Sequence, residues 1–101
     1  MKTRTRERRR AAPAAETEDT IPVERVQTGV RLEKRLLKVL KGLAEVYDLS
    51  LGDLLEGIVL HAFEGKSPFD AAAQGRIREL KRIYELDLDA TASHRLREAH
   101  D

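Results

Sequence analysis

The 101-residue chain contains no cysteine and no tryptophan. Without cysteine it can build neither a disulfide framework nor a thiolate metal site. Aromatic residues make up only 4% of it, so any core must be aliphatic. That core is also thin, because a chain of this size buries a small share of its surface. The combination favours a helical module that shares its core with a second chain. No apolar run approaches the ~20 residues a membrane-spanning helix needs. The basic N-terminus also lacks the apolar stretch of a secretory signal. A soluble, cytoplasmic protein with no membrane partner is therefore expected. There is no glycine-rich phosphate loop, no nucleophile motif and no pair of carboxylates in a recognisable frame, so enzymatic activity is not expected. His61, His94 and His100 are scattered rather than spaced as ligands, and neither a metal nor another cofactor is expected.

What the chain does have is charge, 37% of its residues, at a net of only +1. The distribution matters more than the sum. Lys2, Arg4, Arg6, Arg8, Arg9 and Arg10 stand against the single acid Glu7, and Glu16, Glu18 and Asp19 follow. Residues 1–20 hold no bulky apolar residue after Met1, so they cannot offset the entropy of ordering and are expected to be a disordered basic arm. The bland reading of such an arm is a solubilising tail. The functional one is an electrostatic arm in which Arg4, Arg6, Arg8, Arg9 and Arg10 hold nucleic-acid phosphates and release counterions.

Residues 21–65 carry the strongest patterning. In "RVQTGVRL", Val26, Thr28, Val30 and Leu32 fall on one face and Arg25, Gln27, Gly29 and Arg31 on the other. Alternation of that kind is the signal of a half-buried strand. Two valines, a threonine and a glycine in eight residues weigh against a helix there. From Leu32 onward the leucines recur at three and four, which predicts a helix over about Glu33–Tyr47 with Leu36, Leu40 and Leu43 inward. Gly42 inside it costs about 1 kcal/mol relative to alanine and suits a close approach. Ser50, with Asp53 three residues on, reads as the cap of a second helix over Leu51–Phe63, with Gly65 as its stop. Its apolar residues, among them Leu54, Leu55, Ile58, Val59 and Phe63, form a stripe wide enough for burial on more than one side. Residues 66–101 read as a C-terminal helical extension. Ser67 and Pro68 open its helix, Gly75 weakens the first half, and Asp89 or Thr91 caps a short terminal piece.

A lone strand followed by two amphipathic helices leaves one edge unpaired and one apolar stripe uncovered. Pairing the strand with its copy in a second chain answers both. The expected fold class is thus mostly α, a ribbon-helix-helix arrangement. It is an intertwined homodimer with an intermolecular antiparallel two-stranded ribbon, plus the C-terminal extension. Its dimer core comprises Val26, Thr28, Val30, Leu32, Leu36, Leu40, Leu43, Leu54, Leu55, Ile58, Val59 and Phe63. Such a ribbon fits the major groove, where Arg pairs with guanine and Gln with adenine edges. Arg25, Gln27 and Arg31 would then read bases, and Gly29 would let the backbone come close. Lys34, on a face that is otherwise simply solvated, would add attraction for phosphate.

These segments, "RVQTGVRL", "LEKRLLKVLKGLAEVY" and "SLGDLLEGIVLHAF", resemble the ribbon-helix-helix family of bacterial and phage DNA-binding proteins over Arg25–Glu64. The resemblance implies base reading by Gln27, Gly29 and Arg31. It also implies phosphate anchoring on the backbone amides of Ser50, Leu51 and Gly52, where a helix start offers free N–H groups. The function so implied is sequence-specific binding of double-stranded DNA, as a nucleoid-associated transcriptional repressor acting as a homodimer or a cooperative dimer of dimers. Three alternatives stay open. The first is an antitoxin whose residues 67–101 wrap a protein partner, and the second is a partition adaptor whose arm stimulates an ATPase. The third is a helical dimer module that does not touch DNA.

Overall fold

A computed structural model describes residues 20–99. The expected arm, with Arg4, Arg6, Arg8, Arg9 and Arg10, lies outside the described residues apart from Thr20. The chain divides into two units at Val30 and Arg31. In the first, residues 20–30 form neither helix nor strand and are exposed throughout. The second contains three α-helices: α1, Lys34–Val46; α2, Leu51–Phe63; and α3, Ala71–Ile83. A single 3-10 turn, Ala90–Ala92, follows them.

The expected ribbon is therefore corrected: among the described residues there is no strand. The ribbon-helix-helix fold, and the intertwining its ribbon would create, give way to a three-helix arrangement. The physical reason is that alternation records only which side chains share a face. A strand exists through a ladder of backbone hydrogen bonds to a neighbour, and no such ladder joins residues 26–32 to any described segment.

Each helix starts on an acceptor side chain. Glu33 caps α1 by accepting from the Leu36 amide at 2.8 Å. Ser50 caps α2 through the Asp53 amide at 3.1 Å, at the residue its spacing predicts. The third start is a correction. The helix begins at Ala71, capped by Asp70 on the Ala73 amide at 2.8 Å, rather than at Pro68. Ser67 accepts instead from the Phe69 amide, within the approach to the helix. Gly75 does not interrupt α3.

All three helices stop the same way. The amides of Leu49, Lys66 and Leu86 reach back five residues to the carbonyls of Ala44, His61 and Lys81. The residue before each amide is left-handed: Asp48 at φ 56, Gly65 at φ 71 and Glu85 at φ 56. This is the Schellman stop, which favours glycine because a Cβ strains the left-handed backbone. Only α2 uses glycine, whereas α1 and α3 end on the parallel sequences Tyr47–Asp48–Leu49 and Tyr84–Glu85–Leu86.

Among the helices, α1 alone packs against both others. Leu43, 1% exposed, is the most completely covered side chain, and with Ala44 and Leu54 it forms the centre of the core. Leu40, Ile58, Phe69, Ile77 and Leu80 pack around it. Gly42 sets the approach of α1 to α3: a Cβ there would stand 2.9 Å from Leu80 Cδ2. An alanine methyl can be admitted by turning that leucine tip, but a branched side chain cannot. Gly42→Val should therefore destabilise the fold by about 1–3 kcal/mol in urea melts. Glu85→Gly should stabilise it by about 1 kcal/mol, because it relieves a side chain held at positive φ.

Candidate functional site

The residues expected to meet DNA fall into separate places. Arg25, Gln27 and Gly29 lie in the exposed first unit, and a Cβ at Gly29 would find no atom within 4 Å. Arg31 belongs to the second unit, where its guanidinium pairs with the Glu98 carboxylate, both exposed. Lys34 is exposed at the start of α1. Ser50, Leu51 and Gly52 open α2. The Leu51 and Gly52 amides belong to the group that a helix start leaves without intrahelical partners. Asp53 sits in the same first turn, so its carboxylate complements the positive end of α2 and competes there with any phosphate.

Arg35 and Lys38 of α1 and Lys81 of α3 serve the fold. Arg35 donates to Glu33 Oε2 at 3.0 Å, to the Glu85 carbonyl at 2.9 Å and to Asp87 Oδ1 at 3.1 Å. Lys38 lies 5.7 Å over the Tyr84 ring. Lys81 Nζ donates to the Leu88 carbonyl at 3.1 Å. Three cations thus gather at the end of α3, where the last carbonyls concentrate negative charge. Sequence reasoning saw the basic face of α1 but not this use of it. The only sequence signal was a cationic helix in the same chain as the acidic run Glu85, Asp87, Asp89.

The expected core residues separate equally clearly. Leu43 and Leu54 are buried, and Leu36, Leu40, Leu55 and Ile58 are half-buried. Val26, Thr28, Val30, Leu32, Val59 and Phe63 are exposed. On α2 this makes two stripes, because residues four apart share a face. Leu54 and Ile58 pack on the core. Leu55, Val59 and Phe63 run along another side, with Leu60 beside them, and exposure climbs from 42% at Val59 to 65% at Leu60 and 82% at Phe63. A helix apolar on both sides but covered on one exposes the kind of surface that marks an interaction site.

Family models, curated proteins and solved structures contain no match to this chain. Among the described residues no helix is long and apolar enough to cross a membrane. No three His, Asp or Glu side chains there are grouped to hold a metal ion.

Two carboxylates respond to their surroundings. Burial alone would push Glu33 up, but the Leu36 amide and the Arg35 guanidinium outweigh it and hold the carboxyl below its usual 4.5. The Thr91 side chain and amide hold Asp89 below its usual 3.8. A carboxylate whose pKa is lowered on folding adds stability above its unfolded value and loses it as the pH falls through the folded one. Glu33→Gln should accordingly cost about 1 kcal/mol near neutral pH, through the weakened cap. The difference should shrink as the pH falls below the usual carboxylate value and through the lowered one of Glu33, as measured by urea melts across the acid range.

Proposed function

We propose that the chain is a homodimeric DNA-binding protein that regulates transcription. Its subunits join through the outer stripe of α2, and its basic arms hold the phosphates. The observation that carries this reading is the exposed apolar stripe Val59, Leu60 and Phe63, continued by the half-buried Leu55. One chain leaves it in water although each such side chain would gain about 1.5–3 kcal/mol on full burial. A second copy is the natural cover because a two-fold contact sets the same patch against itself, and this patch is apolar and therefore self-complementary.

Joining two chains places two arms, each with six bases against one acid in residues 1–10, on one assembly. Simultaneous engagement of one duplex then raises affinity through effective concentration. Arg25 and Gln27, carried on the exposed segment, are side chains of the type that reads guanine and adenine edges. The Arg31–Glu98 pair lies at the surface, where an ion pair is worth at most ~1 kcal/mol, so a phosphate or base can displace it. Lys34 and the opening amides of α2 supply further phosphate contacts. No β-ribbon enters this mechanism.

A second reading, a dimeric interaction module that never touches DNA, draws on the use of Arg35, Lys38 and Lys81 inside the fold and on Asp53 beside the α2 amides. An antitoxin tail is less well supported, because residues 71–83 already pack on α1 as α3.

Two measurements test the reading. In sedimentation equilibrium the full chain should be a dimer. Val59→Lys combined with Phe63→Glu should make it a monomer of unchanged helicity, since both side chains are exposed. In fluorescence titrations against random duplex DNA, affinity should fall steeply with salt. Removing residues 2–10 should flatten that slope by up to about 0.9 for each cation lost from a phosphate. A monomeric wild type sinks the dimer, and a slope of zero leaves the DNA-free module as the function.

A further inference from the structure

A cavity of about 260 Å³ opens where the α1–α2 turn, α2 and the start of α3 meet. Its walls are mainly aliphatic and aromatic, with Ile58, Tyr47 and Phe69 among them. Its polar side chains are Asp53, His61 and Asp70, with the Tyr47 hydroxyl. Neither lysine nor arginine lines it, in a chain where those residues number 19. The volume lies just below the ~300–1,000 Å³ usual for small-molecule sites, and an apolar body with a few convergent polar groups is their usual make-up.

Two of the polar groups are carboxylates, which only accept. Asp53 presents an exposed carboxylate in the first turn of α2. Asp70 commits Oδ1 to the Ala73 amide at 2.8 Å, and its second oxygen is left to accept from elsewhere. His61 Nδ1 stands 2.7 Å from the Gly57 carbonyl. Because a carbonyl only accepts, that nitrogen carries the hydrogen, and in the neutral ring Nε2 keeps its lone pair as an acceptor. The cavity therefore sets two carboxylates beside apolar walls, with neither lysine nor arginine among the lining side chains. Tyr47 and Phe69 add aromatic faces, which attract cations as well as apolar groups.

The geometry points to a binding site for a small organic cation, an ammonium group on a compact aromatic or aliphatic body. The ammonium sits against Asp53 and Asp70 and donates to them, while the body fills the aliphatic wall. An anion is repelled by the two carboxylates, and a neutral analogue keeps only the apolar part of the contact. This site does not depend on the proposed dimer, because it lies on the core side of α2 and uses none of the outer stripe.

The test compares 2-phenylethylamine with 2-phenylethanol and phenylacetate, titrated into the full chain at neutral pH and followed by amide chemical shifts and calorimetry. The amine should bind saturably, at least ten-fold more tightly than the alcohol, and shift the amides of Asp53, Gly57, His61 and Asp70. Phenylacetate should not bind. Asp53→Asn with Asp70→Asn should weaken the amine at least ten-fold and leave the alcohol unchanged. Asparagine caps a helix about as well as aspartate, so an unaltered melting temperature certifies the fold of this variant. Gly57→Leu, at a position where a Cβ meets no atom within 4 Å, should narrow the cavity and weaken both ligands. Equal affinity for amine and alcohol, an amine affinity indifferent to the paired Asp→Asn changes, or shifts confined to residues away from the cavity would each overturn the proposal.

Discussion

The position of α1 between the other two helices is the constraint on which the rest of the structure depends. One thirteen-residue helix must supply apolar contact to two neighbours. It does so with Leu43 and Ala44 at the centre, Leu40 packed beside them, and the absence of a side chain at Gly42 toward Leu80. The buried core is consequently small, just Val39, Leu43, Ala44, Leu54 and Ala73 among the described residues. A core that thin leaves little stability in reserve. The end caps and the Arg35 contacts therefore matter more here than they would in a larger domain. Arg35 does two jobs at one point. It steadies the Glu33 cap of α1, and it ties that end to the carbonyl and carboxylate that follow α3.

The same arrangement leaves α2 half used. It meets α1 with Leu54 and Ile58, while Val59, Leu60 and Phe63 have no comparable cover in one chain. Association through that stripe would gain apolar burial without disturbing the intramolecular core, because the two stripes lie on different sides of the helix. The polar end of α2 is a compromise of another kind. Asp53 favours the helix by complementing its positive end, yet it places a negative charge beside the amides that would meet a phosphate. Together with the core-facing cavity it lines, that residue makes the start of α2 more hospitable to a cation than its helix geometry alone suggests.

Cations in this chain divide by role, and composition alone would not have divided them. Arg35, Lys38 and Lys81 complement the end of α3, and Arg31 meets Glu98. Lys34 remains at the surface beside the α1 cap. A count of basic residues on α1 would assign this whole face to nucleic acid, whereas much of it compensates negative charge generated by the fold itself. The DNA reading therefore leans on the basic arm and the exposed segment rather than on the basic face of α1.

Much of the local structure was legible in the residues. The start and stop of α2 follow from Ser50 and Gly65, because a hydroxyl cap and a left-handed glycine act within one turn of chain. The inward face of α1 follows from leucines at three- and four-residue spacing. The start of α3 was misread because Ser67–Pro68 and Asp70 are both plausible openings, and which one acts depends on where Phe69 and Ala73 can pack. Asp48 and Glu85 gave no warning as helix stops, since neither is glycine and only the reaching back of Leu49 and Leu86 identifies them. The strand expected over Arg25–Leu32 failed for a deeper reason. Alternation is a property of one segment, whereas a strand is a relation between two. The sequence by itself determined where helices can begin, end and turn an apolar side. Tertiary structure alone decided which sides are covered and which cations are occupied, because both depend on contacts between residues far apart in the chain.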